Sequence, residues 1–195
     1  MTEEKCNANF VKFIESLEKY DCYSEDMIND IGEKIKKAPY TTSIEYGGAE
    51  EGSLVYVTLY SLCKNAFNIN NSLTPILQVN PQMLMRVLLL LNISKAEMFV
   101  MADDWHIKRG MPYKFSDELK TKMKLGTRSL YLCNKYGIKL EEEEYEAFIC
   151  NDNNDVNGVA FQTPLYTIVK AALDLTSVEL RQKYLQTRTN PIIEK

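Results

Sequence analysis

The stretch that most constrains this chain is Arg86-Val-Leu-Leu-Leu-Leu-Asn-Ile-Ser-Lys-Ala-Glu-Met-Phe99, an apolar run that turns polar at Asn92. Leu84, Val87, Leu88 and Leu91 repeat at the three- and four-residue steps of a helix, and of the positions between them all but Arg86 are apolar too. A helix so nearly apolar all round must be enclosed by protein or by lipid. Met83 to Leu91 is interrupted by Arg86 and falls far short of the roughly 20 residues a membrane helix needs, so it is expected to be the core helix of a globular domain.

The rest of the composition agrees with that. In 195 residues, 45% hydrophobic and 26% charged side chains suit one domain with a sizeable core. The formal net charge of -4 gives no overall pull toward nucleic acid or an anionic membrane. Cys6, Cys22, Cys63, Cys133 and Cys150 are scattered and include no Cys-x-x-Cys pair, so they read as reduced, mostly buried thiols. No leader-like N-terminal segment is visible, and a cytoplasmic location is expected.

Along the chain, Phe10, Phe13, Ile14 and Leu17 mark a first amphipathic helix over residues 4–20. Ser24 is placed to cap a second, with Met27, Ile28, Ile31 and Ile35 on its apolar face and Pro39 at its end. A loop from Tyr40 to Gly52 leads to a third helix, Ser53 to about Asn68. Pro75 or Pro81 opens the central helix. Trp105 to Phe115, with alternating aromatics around Gly110 and Pro112, reads as a short hairpin. Ser116 is expected to cap a helix running through Leu119, Met123, Leu130 and Leu132 to Tyr136, stopped by Gly137. Glu141 to Glu144 is expected to be the solvated first turn of another helix. Asn151 to Gly158 reads as a turn-rich loop. A last helix carries Leu165, Ile168, Val169, Ala172 and Leu173 toward Tyr184.

The central stretch resembles the HD-domain superfamily of metal-dependent phosphohydrolases, whose corresponding helix reads apolar-apolar-His-Asp-apolar-Gly-Lys. Further landmarks keep the family's order over roughly residues 35–180: Ala38-Pro39 with Tyr46-Gly-Gly-Ala-Glu-Glu-Gly-Ser-Leu54, Arg109-Gly-Met-Pro-Tyr-Lys-Phe115 with Gly126-Thr-Arg-Ser-Leu130, Leu140 with Glu144, Ala147 and Ile149, and Pro164-Leu165 with Ile168-Val169 and Ala172. The resemblance implies an all-α, HD-like helical domain with one short β-hairpin: N-terminal helices over 1–37, the degenerate domain over 38–185 and a tail over 186–195. It also implies that the ligand positions are Val57, Leu91, Asn92, Asn151 and Leu173. None has the chemistry the reaction requires, since neutral imidazoles and carboxylates must hold the metal that activates water. Val57, Leu91 and Leu173 instead extend apolar stripes, each worth roughly 1.5 to 3 kcal/mol when buried. The chain has one histidine, His106, so no change of register restores a multi-histidine site.

Other clusters have bland accounts. Asp103, Asp104 and His106 read as solvated groups before a turn, with helical metal-ligand spacing as the alternative. The Asn/Asp loop after Cys150 lacks the Gly and closing Glu of a calcium loop. Cys150 beside Asn151 reads as a buried thiol rather than a nucleophile. Trp105, Tyr113 and Phe115 are expected to cover the hairpin's side of the core, with an exposed contact surface as the alternative. Lys95, Arg109, Arg128 and Lys170 are the cations that the resemblance would set near a substrate phosphate. The expectation is therefore a non-catalytic protein with no cofactor, binding a partner protein or its own copies. A non-hydrolysing nucleotide sensor is the second reading, and a weak hydrolase with a rearranged site is the third.

Overall fold

A computed structural model describes residues 1–152 and 163–189, apart from the side chains of Asn151 and Thr189. It is an all-α fold with one short antiparallel hairpin. Helix α1 (Glu3–Lys19) buries Cys6, Phe13 and Leu17. After a tight turn with Asp21 at positive φ, the Ser24 hydroxyl accepts from the Met27 amide and opens α2 (Glu25–Lys37), as its sequence predicts. The same hydroxyl donates to the Tyr136 carbonyl, tying the turn to a segment 112 residues away.

The loop from Ala38 to Gly52 contains a 3-10 turn (Ile44–Tyr46) and folds back on itself, with the Tyr40 and Thr41 amides both donating to Gly48. Gly47 has φ 73°, and a Cβ there would stand 2.6 Å from the Leu180 carbonyl oxygen. Only glycine allows this backbone-to-backbone approach. Helices α3 (Ser53–Val57) and α4 (Cys63–Ser72) form one rod interrupted by a widened π-turn at Thr58–Leu62, directly after Val57.

Pro75 opens only a 3-10 turn (Pro75–Leu77). Pro81, behind an Asn80 cap, starts α5 (Pro81–Leu90), whose Leu84, Val87, Leu88 and Leu90 are fully buried. The central stretch then departs from its sequence expectation: it is not one helix. Residues 91–94 form a turn, and the chain restarts as α6 (Lys95–Met98). The cause is a pair of serines. The Ser129 hydroxyl donates to the Leu91 carbonyl and accepts from the Ser94 amide, while Ser94 Oγ donates to the Leu125 carbonyl. These bonds take groups that a continuous helix would have used internally.

Strands β1 (Phe99–Met101) and β2 (Tyr113–Phe115) pair with Phe99 opposite Phe115 and Met101 opposite Tyr113. Between them lies α7 (Asp104–Ile107), so Trp105 sits in a helical turn rather than in the expected strand. The helix expected from Ser116 starts only at α8 (Leu125–Lys135), and 116–124 is irregular. Its start is fixed from afar: the Asp152 carboxylate accepts from the Gly126 amide at 2.6 Å, the Thr127 amide at 3.0 Å and the Thr127 hydroxyl. Gly137 ends α8 with φ 69°, as expected.

Helix α9 (Glu142–Ile149) begins with a reciprocal Glu141–Glu144 capping box. Its first turn is only partly solvated, contrary to expectation. Glu144 is buried and meets Arg86 Nε at 3.0 Å, and Arg86 also donates to the Lys139 carbonyl. A 3-10 turn (Cys150–Asp152) follows; the rest of the expected Asn/Asp loop, and of the tail beyond Thr189, lies outside the described residues. The closing helix α10 (Pro164–Thr189) is pinned to α4 where Asn65 donates to Thr176 and Glu179. α1 and α2 feed the same core cluster as α5, α8, α9 and α10.

Candidate functional site

Asn92 lies on the turn between α5 and α6 and is 1% exposed. Ile35, Leu54, Val55, Leu89 and Ile93 enclose it, together with Phe13 and Thr58. Its amide is hydrogen-bonded to the Tyr40 hydroxyl, which pulls back part of the rise that burial imposes on the Tyr40 phenol. Leu91, beside it, is fully buried. Val57 ends α3 at 1% exposure and Leu173, on α10, is 9% exposed. Val57 also edges an apolar cavity of about 600 Å³ between the 44–57 segment and Leu180, Lys183 and Tyr184 of α10. The backbone of Asn151 is in the 3-10 turn after α9, and its side chain lies outside the described residues. Among the described residues, no three His, Cys, Asp or Glu side chains are grouped to hold a metal ion.

Each of the four cations has a separate environment. Lys95 is buried with its ammonium 3.7 Å from the centroid of the Tyr40 ring, and burial pushes its pKa down from 10.5 to about 7. Arg128 is held by Glu97, with Nη2 at 2.7 Å and Nε at 3.2 Å from one carboxylate oxygen. Lys170 pairs with Asp174 one turn along α10 at 3.7 Å. Arg109 stacks 3.7 Å over the Trp105 ring in the hairpin connection. Lys95 and Arg128 meet the same short helix α6, yet one faces Tyr40 and the other Glu97.

The hairpin differs from its expected role. Trp105 and Phe115 are 54% and 53% exposed, and Met101 is 74% exposed; only Tyr113 is half-buried. The aromatics therefore do not cover the core. The Phe99 and Phe115 rings meet edge-on at 5.1 Å, so two of the hairpin's own side chains support each other. Asp103 caps α7, its carboxylate accepting from the His106 amide at 3.1 Å and lying 2.8 Å from His106 Nδ1; hydrogen bonding to His106 holds its carboxyl below the usual range. The five thiols are free and buried, and burial pushes Cys22, Cys63, Cys133 and Cys150 up to about 12, far from nucleophilic at neutral pH.

Sequence reasoning missed Tyr40, Ser129, Asp152 and the Arg86–Glu144 pair. Tyr40 follows Pro39 in what reads as an ordinary loop. Ser129 and Asp152 act across 38 and 26 residues of chain, so no local pattern announces them. Arg86 interrupting a leucine run was a visible signal, because a cation on a buried face needs a partner.

Among the described residues, no helix is long and apolar enough to cross a membrane. No family model matches the chain, and no curated protein or solved structure matches it.

Proposed function

We propose that this chain is a degenerate HD-domain protein, a pseudoenzyme that keeps a helical scaffold and works by binding a partner protein or its own copies. The observation that carries this reading is the hydrocarbon around the buried turn: Val57, Leu91 and Leu173 belong to the core, and Asn92 is enclosed mainly by apolar side chains, with Thr58 and the Tyr40 hydroxyl, instead of imidazoles and carboxylates. A neutral amide in such a setting supplies neither the charge nor the open coordination that a metal-bound hydroxide needs. The binding half of the reading draws support from Met101, Trp105 and Phe115, large apolar side chains left in water on one small hairpin.

Nucleotide sensing is the weaker alternative. It asks Lys95, Arg109, Arg128 and Lys170 to present free charges to phosphate, whereas two are ion-paired, one is stacked on Trp105 and one is buried beneath Tyr40.

The test joins two measurements on the full chain. Assays with Mn²⁺ or Mg²⁺ over nucleotides and phosphomonoesters are expected to give no turnover above buffer. Sedimentation over a concentration series, with capture from the native host, is expected to show self-association or a partner, lost in the Trp105→Ser, Phe115→Ser double variant. Metal-dependent turnover abolished by Asn92→Ala would overturn the proposal, as would a strictly monomeric protein with no partner.

A further inference from the structure

We propose that Lys95 and Tyr40 form a proton-operated latch, in which uptake of a proton by Lys95 swings Tyr40 off the core and loosens the strap of residues 38–44. The proposal goes beyond the scaffold reading and does not depend on it. Lys95 is 6% exposed, and its Nζ lies against the face of the Tyr40 ring. Among the described residues, no carboxylate comes within ion-pair distance of it, and Glu97, two residues on, is taken by Arg128. A neutral amine fits that setting. An ammonium there needs water or an anion, and the ring face replaces only part of its hydration.

The ring that covers Lys95 also anchors the strap. The Tyr40 amide donates to the Gly48 carbonyl and to Ser53 Oγ, each at 2.9 Å, and the Tyr40 hydroxyl is hydrogen-bonded to Asn92 on the turn before α6. Farther along, the Ile44 amide donates to the Gly110 carbonyl at 2.9 Å, and the Tyr113 amide donates to the Thr42 carbonyl at 3.3 Å. The strap therefore links the end of α2 to the hairpin, with Tyr40 as its inner fastening. Water reaches Lys95 when that fastening opens.

Lys95 is the group around this site whose charge changes near neutrality. Burial alone moves its pKa from 10.5 to about 7. On α2, which packs against α6, Ile31 and Ile35 are buried while Glu33, Lys34 and Lys37 are exposed and Lys36 pairs with Glu33. β1 carries no titratable side chain, and Glu50 and Glu51 of the loop are exposed. Burial pushes the Tyr40 phenol up and the neighbouring Cys63 thiol up to about 12, so both stay neutral. Opening returns Lys95 to water and to its ordinary affinity for protons. The opening equilibrium is therefore expected to rise roughly tenfold for each pH unit lowered between 9 and 7, and to level off below about 6.

The test is hydrogen exchange of the full chain from pH 6 to 9, each rate divided by the intrinsic rate of an unstructured peptide. The Tyr40 and Thr41 amides are expected to follow that roughly tenfold slope and to exchange faster than α5 at every pH. Lys95→Met is expected to flatten the slope. Tyr40→Leu, which keeps an apolar cover without the hydroxyl's tie to Asn92, is expected to raise strap opening at every pH. A wild-type strap whose opening ignores pH, a slope that survives in Lys95→Met, unchanged opening in Tyr40→Leu, or strap amides that exchange only together with α5 would each overturn the proposal.

Discussion

Lys95 opens α6 with its ammonium inside the protein, and there the side chain is a liability to folding. Moving its pKa from 10.5 to about 7 corresponds to a cost on the order of 5 kcal/mol for burying the charged form, against which the Tyr40 ring returns about 2 kcal/mol. Below pH 7 folded and unfolded chains are both protonated and the penalty is complete. Above 7 the folded chain gives up its proton while the unfolded chain keeps its own until near 10.5, so stability rises with pH across that interval. The four raised thiols act the other way: above pH 9 the unfolded chain ionises them while the folded chain keeps them neutral up to about 12, so stability falls. Urea titrations are therefore expected to show greatest stability just below pH 9. Lys95→Met is expected to raise stability by roughly 2 to 4 kcal/mol below pH 7 and to flatten the rise between 7 and 9. An unchanged pH profile in the variant would show that Lys95 does not titrate in this window.

At the scale of elements, helices whose signals are local follow the sequence, and elements fixed from a distance do not. The apolar stripes of α1, α2 and α10, the Ser24 cap and the Gly137 stop sit within a few residues of the structure they specify. The broken central helix and the late start of α8 depend on Ser129 and Asp152, whose partners no window of sequence contains. The Ser116 start failed for the same reason: its hydroxyl accepts from the Glu118 amide and closes only a local turn, while the helix begins at Leu125, where the distant Asp152 carboxylate takes up the Gly126 and Thr127 amides. Asp152→Ala removes all three acceptor bonds at the head of α8 and is expected to cost about 1 to 3 kcal/mol, visible as a lower urea midpoint with fraying of the first turn by hydrogen exchange. Asp152→Asn keeps one acceptor oxygen and is expected to lose less. Equal stability of the alanine variant would mean that α8 starts from its own propensity.

Across the whole molecule, the legible part of the candidate site was its apolar character. The burial of Val57 and Leu91 could be read directly from their apolar stripes, whereas the Tyr40 ring over Lys95 needed a loop to fold back over the core. The same division predicts dynamics. α5 and the Leu165 to Thr176 half of α10 have their apolar faces buried in one cluster, and residues 99–124 sit at its margin with much of their side-chain surface in water. Hydrogen exchange is expected to be slowest in α5 and that half of α10, close to the limit of global unfolding, and fastest in 99–124. Slow exchange in the hairpin would contradict this picture. The touch between Gly47 and Leu180 carries a further consequence for descent. Core positions can trade one apolar residue for another, but any side chain at 47 would drive a loop off a helix. Related chains are expected to share that missing methyl group more faithfully than the identity of any single core residue.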